Sequence, residues 1–264
     1  MCRIAGFWDF SYQGGYDIEK VIISMRDTLA YGGPDDAGFF IEKDKGLAFG
    51  NRRLSILDLT SLGHQPMSDD DEDLWITYNG EVYNFCQIRE ELIDKGYRFK
   101  SNTDTEVVLK AYQQWGLDAV HKFRGMFAFA IWDRKNEKII LCRDRTGVKP
   151  LYWYYKDGLF MFASELKAFH RHPRFHKELD ERALSTFLTF GNISCPYSIF
   201  KYTYKLEAGH FLIIDKSKNI KKLKYWDIKD FYLKGEALKK NEFWNKKSAQ
   251  EIAEELEQIL SESF

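Results

Sequence analysis

The chain has 264 residues, 44% hydrophobic, 16% aromatic and 30% charged, with a formal net charge of −1. This composition can bury a core and excludes a disordered chain. The near-neutral charge gives no electrostatic footing to nucleic acid or an anionic membrane. No run approaches the roughly 20 apolar residues of a membrane span. The first thirty residues lack a basic stretch followed by an apolar one, so a cytoplasmic location is expected. The four cysteines, at positions 2, 86, 142 and 195, form neither a CxxC pair nor a metal-ligand spacing, so no metal site is expected.

In chain order, Arg3 to Trp8 reads as a strand. Asp17 to Leu29 reads as a helix, because Val21, Met25 and Leu29 recur four apart. Residues 37–42 and 46–57 read as strands, and 73–84 as a strand entering a turn. Asn84 offers a cap for a helix running to Lys95, and Asp104 a cap for a second helix ended by Gly116. Strands follow at 126–133, 138–144, 151–155 and 159–165, then a helix from about Asp180 to Phe190. This order suggests sheets covered by helices in an α+β arrangement. Residues 229–247 are Lys-rich without a clear period and read as a linker. The segment 248–264 reads as a closing helix: Ser248 and Glu251 fit a capping box, and Ile252, Leu256, Ile259 and Leu260 form a narrow apolar stripe.

The chemistry starts at Cys2. Removal of Met1 would make it the N-terminus, joining a strongly nucleophilic thiol to an α-amine of pKa about 7.7–8, suited to general base work. An Asn side chain and the next backbone N–H, as at Asn79-Gly80, can stabilise an oxyanion. Gly80 allows close backbone approach. Arg53 carries a fork that matches a carboxylate, and Asp104 matches an ammonium group. Each residue alone has an ordinary structural explanation: a surface arginine, a hairpin turn, a helix cap. Together they describe a site for a free amino acid with a side-chain amide.

The stretches MCRIAGF, GGPDDAG (32–38), RRLSILDLTSLGHQPM (52–67), TYNGEVYNF (77–85), TDTEVVLKAYQQWG (103–116), FRGMFAFAIWD (123–133), CRDRTGVKPLYW (142–153) and FASELKAF (162–169) resemble the glutaminase domain of glutamine-hydrolysing asparagine synthetases, class II (N-terminal nucleophile) amidotransferases. The resemblance runs from residue 1 to about 228. It implies a four-layer αββα sandwich of the N-terminal nucleophile hydrolase type, with L-glutamine as substrate. By resemblance, Cys2 is the nucleophile, and Asn79 and Gly80 form the oxyanion hole. Arg53, Leu54, Ser55, Ile56 and Leu57 hold the α-carboxylate, Glu81 and Asp104 contact the α-amino group, and 61–67 forms a flap over the substrate. RDRTGVKP (143–150) is expected to form a structural ion-pair network.

The implied organisation is an amidotransferase domain over 1–228, a linker over 229–247 and, over 248–264, the first helix of a synthetase domain. In the family that domain opens with an S-G-G-x-D-S phosphate loop, a motif these 264 residues do not contain. ATP and Mg are therefore expected only in the synthetase domain, and no cofactor in the glutaminase domain. A synthetase domain or subunit is an expected partner, and a homodimer is also open. Two positions depart from the family pattern: Arg3 replaces a small residue, and Tyr31-Gly32 stands where His-Arg is common. Strand alternation would turn Arg3 away from Cys2; the alternative is a cation placed near Cys2 that lowers its thiol or amine pKa. The other reading of the sequence is a non-catalytic glutamine-sensing or scaffold subunit of the same fold, from which loss of at least one of Cys2, Asn79, Gly80 or Asp104 would be expected.

Overall fold

The computed structural model describes residues 2–240 and 247–261. It divides into two compact units, with the boundary between Tyr225 and Trp226.

In the first unit the strands are β1 (Arg3–Asp9), β2 (Asp36–Glu42), β3 (Leu47–Arg53), β4 (Met67–Ser68), β5 (Leu74–Val82), β6 (Gly125–Asp133), β7 (Lys138–Arg143), β8 (Tyr152–Lys156), β9 (Leu159–Ala163), β10 (Thr203–Lys205), β11 (His210–Asp215) and β12 (Ile220–Lys224). Its helices are α1 (Ile18–Asp27), α2 (Phe85–Asp94), α3 (Asp104–Trp115) and α4 (Glu181–Phe190). Two six-stranded sheets form, in the orders β10-β8-β9-β1-β3-β2 and β12-β11-β7-β6-β5-β4. Strands β10, β11 and β12 lie in a stretch for which the sequence named no elements.

Strand alternation builds the layers. Ile4 and Trp8 of β1 join Ala128, Ala130 and Trp132 of β6 in a core between the sheets. The intervening Ala5 and Phe7 pack with α1 residues Ile18, Val21, Ile22 and Met25. The intervening Phe127, Phe129 and Ile131 pack with Ile88 and Leu92 of α2 and Val107 and Val108 of α3. Three cores separate four layers, which is the αββα sandwich expected from the resemblance. Gly6 makes room for the Phe162 ring of the neighbouring strand β9: a Cβ at that position would meet that ring at 2.5 Å.

Two caps differ from expectation. Thr103 caps α3, its side chain accepting from the Glu106 N–H, and Asp104 becomes the first helical residue. Asn84 makes no side-chain cap bond to α2. Instead its amide donates to Lys122 O at 2.9 Å and accepts from Arg124 N at 2.8 Å. In the RDRTGVKP segment Arg143 and Asp144 are met by backbone groups. Arg143 donates to the carbonyls of Lys149, Leu206 and Gly147, and Asp144 accepts from the N–H groups of Phe127, Thr146, Val148 and Lys149.

In the second unit, α5 (Ile228–Lys240) occupies most of the stretch expected to be a linker over 229–247; residues 241–246 lie outside the described residues. Ile228, Phe231 and Tyr232 stand at i, i+3 and i+4, but Gly235 interrupts the stripe and obscured it in the sequence. Helix α6 (Ala249–Ser261) begins at the expected capping box: Ser248 N and Oγ donate to Glu251 Oε2 at 2.7 and 2.8 Å. Residues 262–264 of the expected closing helix are outside the described residues. Among the described residues no helix is long and apolar enough to cross a membrane.

Candidate active site

Antiparallel pairing of β1 with β3 sets Arg3 opposite Arg52, so one step further Cys2 stands beside Arg53. The Cys2 thiol lies against the next residue of that strand end. Sγ accepts from Leu54 N–H at 3.4 Å and faces Leu54 O at 3.6 Å. Burial pushes the thiol pKa up, opposed by the Leu54 backbone contact and by Arg53. Burial thus favours the thiol over the thiolate that attacks a substrate, so a nearby proton acceptor would assist the attack.

Cys2 opens on a cavity of about 110 Å³. That is small beside the roughly 300–1,000 Å³ of drug-sized ligand sites and suits a compact polar molecule. Cys2, Arg53, Leu54, Ile56, Leu57, Asn79, Gly80, Glu81 and Asp104 line it, together with Gln65, Tyr78, Thr103, Thr105 and Met126. Ser55 is the expected site residue that does not line the cavity. Its N–H turns outward to donate to Asp35 Oδ2 at 2.8 Å.

Asn79 sits in β5 opposite Ala128 of β6. It is fully buried, and neither its side-chain oxygen nor its side-chain nitrogen has a partner. Buried amides are normally bonded, so an unpaired one facing a cavity is a group held ready for a ligand. Gly80 follows it, and a Cβ there would meet Met126 O and Phe127 Cβ at 2.6 Å. Only glycine fits at that position.

The cavity has opposite charges on different walls. Arg53 Nη2 donates to the carbonyls of Leu57 and Asp58, at 2.8 and 2.6 Å. This folds residues 54–58 around the guanidinium and explains why strand β3 ends at Arg53 instead of running to residue 57. Gly63 packs flat on the same group; a Cβ there would meet Arg53 Cζ at 2.5 Å. Across the site, Asp104 Oδ2 accepts from the Tyr78 hydroxyl at 2.7 Å and from Val82 N–H at 3.0 Å. Burial raises its carboxyl pKa to about 6 against those hydrogen bonds, and the neighbouring Glu81 charge adds to the rise.

The segment expected to form a flap divides in two. Leu62 is exposed at its tip, whereas Gln65 is buried at its base. Gln65 Oε1 accepts from Tyr78 N–H at 2.8 Å and Asn51 Nδ2 at 3.0 Å, and its Nε2 donates to Thr105 Oγ1 at 3.2 Å. Asn51 Nδ2 also donates to Thr77 Oγ1 at 3.1 Å, tying β3 of one sheet to β5 of the other. Sequence reasoning passed over Gln65, Tyr78, Thr103, Thr105 and Met126. A Gln before Pro66 beside a Thr-rich helix start was the available signal.

The Glutamine amidotransferase domain family matches residues 1–226. A putative glutamine-hydrolysing asparagine synthetase 2 of Methanocaldococcus jannaschii is 40% identical over 250 residues, covering 88% of this chain and 47% of that protein. Glutamine-hydrolysing asparagine synthetase 1 of Bacillus subtilis is 39% identical over 193 residues, covering 73% of this chain and 30% of that protein. The chain thus spans half or less of the length of these relatives. The solved structure of a glutamine phosphoribosylpyrophosphate amidotransferase from B. subtilis superposes with a TM-score of 0.61 at 19% identity, over 85% of this chain and 49% of that one. That likeness is one of fold, and it is the same αββα arrangement. With a family match that spans both sheets and every wall of the cavity, the chain belongs to the glutamine amidotransferase family.

Proposed function

We propose that residues 1–226 hydrolyse L-glutamine to glutamate and ammonia through Cys2. The observation that carries this reading is the unpaired amide of buried Asn79 in the cavity that Cys2 Sγ enters. The Arg53 wall suits an α-carboxylate, and the Asp104–Glu81 wall suits an α-ammonium. A glutamine held at its Cα by both groups would present its side-chain carbonyl, at the far end, to Cys2.

Once Met1 is removed, the Cys2 α-amine accepts the thiol proton as Sγ bonds to the amide carbon. The carbonyl electron pair moves to oxygen, where Asn79 Nδ2 and Gly80 N–H donate to it. One such donor contributes roughly 3–4 kcal/mol to the transition state. The α-ammonium then protonates the leaving nitrogen, the C–N bond breaks, and ammonia departs from a thioester. Water, deprotonated by the same amine, cleaves the C–S bond and returns glutamate and the free thiol.

In a longer protein of the kind this chain resembles, the ammonia would pass to an ATP- and Mg-dependent synthetase domain or subunit that amidates an activated carboxylate, aspartate to asparagine being the reaction the relatives' names support. Cys2→Ala should abolish ammonia release while the fold persists. 6-Diazo-5-oxo-norleucine, a glutamine antagonist, should label the N-terminal peptide. An adduct on Cys86, Cys142 or Cys195, or full activity in Cys2→Ala, would overturn the reading. Glutamine binding without turnover in a chain shown to lack Met1 would instead favour the sensing role.

A further inference from the structure

Arg3 follows Cys2 on β1. Strand alternation sends its side chain away from the Cys2 thiol, yet the guanidinium folds back on the Cys2 backbone. Nη1 donates to Cys2 O at 3.1 Å, and Nε donates to Glu165 Oε1 at 2.8 Å. Glu165 is held in turn by the Tyr31 hydroxyl at 2.8 Å and by Lys167 at 3.2 Å. Lys167 and Arg3 both approach the Tyr31 ring, 4.1 and 5.9 Å from its centroid.

Gly32 provides the seat for this arrangement. A Cβ there would meet Arg3 Cγ at 2.8 Å, Nε at 3.0 Å and Cζ at 3.1 Å, and these are its three nearest atoms. Gly32 is not among the positive-φ residues, so the backbone does not itself demand glycine. What the missing side chain makes room for is Arg3.

We propose that Arg3 is a positioning residue for Cys2, and that Gly32, Tyr31 and Glu165 form its socket. The proposal rests on Cys2 being the nucleophile. A residue at the N-terminus is joined to the fold through one peptide bond. The α-nitrogen and Cβ both hang from that peptide plane, and the guanidinium fixes the plane by binding its carbonyl. Leu54 holds Sγ from the other side. Thiol and amine are thereby kept in mutual reach, as the transfer of the thiol proton requires. A planar fork can serve the Cys2 carbonyl and the Glu165 carboxylate together; a lysine ammonium lacks that geometry.

The test is steady-state glutamine hydrolysis by Arg3→Ala, Arg3→Lys, Gly32→Ala and the Arg3→Ala/Gly32→Ala pair, with urea unfolding as a control. Misplacing a reacting group by an ångström costs on the order of a hundredfold. Arg3→Ala should therefore lower kcat about tenfold or more and leave KM within about twofold. Arg3→Lys should not restore kcat. Gly32→Ala should reproduce the loss, and the pair should be no worse than Arg3→Ala alone, because both changes remove the same clamp. A kcat within about twofold of wild type in Arg3→Ala, a loss carried by KM, or losses that multiply in the pair would each overturn the proposal. If Arg3→Ala fails to fold, Gly32→Ala, which leaves every charge in place, decides by the same criteria. Normal turnover in Cys2→Ala would instead sink the reading of Cys2, and the proposal with it.

Discussion

Asp104 carries a cost that a bound substrate should offset, and Asp104→Asn exposes it. The carboxyl is 6% exposed, and its pKa rises from 3.8 to about 6. At about 1.4 kcal/mol per unit, holding it ionised in the empty site costs about 3 kcal/mol. A raised folded-state pKa means the native protein binds a proton that the unfolded chain releases. The contribution of Asp104 to stability is therefore fully present below about pH 4, falls as pH rises through about 6, and stays lost above. Asparagine keeps an oxygen that can accept from Tyr78 and Val82 but has no charge to bury. Urea unfolding from pH 4 to 8 should show the variant gaining on wild type by up to about 3 kcal/mol across that window. Glutamine binding should move the other way. Losing the ion pair to the α-ammonium, a charge-assisted bond of about 1.5–3 kcal/mol, should raise KM roughly ten- to a hundredfold. Wild-type KM should also rise as pH falls below about 6, and that of the variant should not. Parallel stability–pH curves for the two proteins, or an unchanged KM in Asp104→Asn, would refute the assignment of Asp104 as the buried ammonium partner.

The other predictions separate ground-state binding from transition-state stabilisation. Asn79→Ala should lower kcat about a hundredfold or more with a small effect on KM, since its partner exists only as the oxyanion forms; a change confined to KM would reassign it to ground-state binding. Arg53→Lys should raise KM strongly, because an ammonium cannot keep the Leu57 and Asp58 carbonyls and also grip a carboxylate. Gly63→Ala should give the same KM defect with every charged group retained, because its methyl would displace the guanidinium; wild-type KM in that variant would show that the seat of Arg53 is not needed.

Much of the fold could be read from local pattern. The short apolar run FAFAIW marked β6, which is buried on both faces, and four-residue spacing marked α1, because it records the one face that is buried. The chemistry of the residue types pointed to Cys2, Arg53, Asn79, Gly80 and Asp104; the resemblance supplied the αββα layering and added Leu54, Ile56, Leu57 and Glu81 of the cavity lining. Where several local partners compete, the sequence was a weaker guide. Thr103 and Asp104 can both cap α3, and Thr103 does, which frees the Asp104 carboxylate for the cavity. The charges of RDRTGVKP suggest an ion-pair network, but around Arg143 and Asp144 the loops leave carbonyls and N–H groups that bind them. Residues 46–57 look like one strand, but Arg53 draws the chain around its guanidinium after residue 53.

By itself, the sequence determined the chemical inventory: a thiol at position 2, an Asn-Gly pair, an arginine and an aspartate, on elements whose type their spacing reveals. Only the tertiary structure decided what those groups become. Cys2, Arg53, Asn79 and Asp104 come from separate segments joined by β1–β3 pairing and by the Asn51–Gln65–Thr77 contacts between the sheets. The raised pKa of Asp104, the upward shift of the Cys2 thiol and the unpaired amide of Asn79 follow from what surrounds each group. Desolvation and hydrogen-bond satisfaction depend on neighbours distant in the chain, so they arise only when the two sheets close on each other.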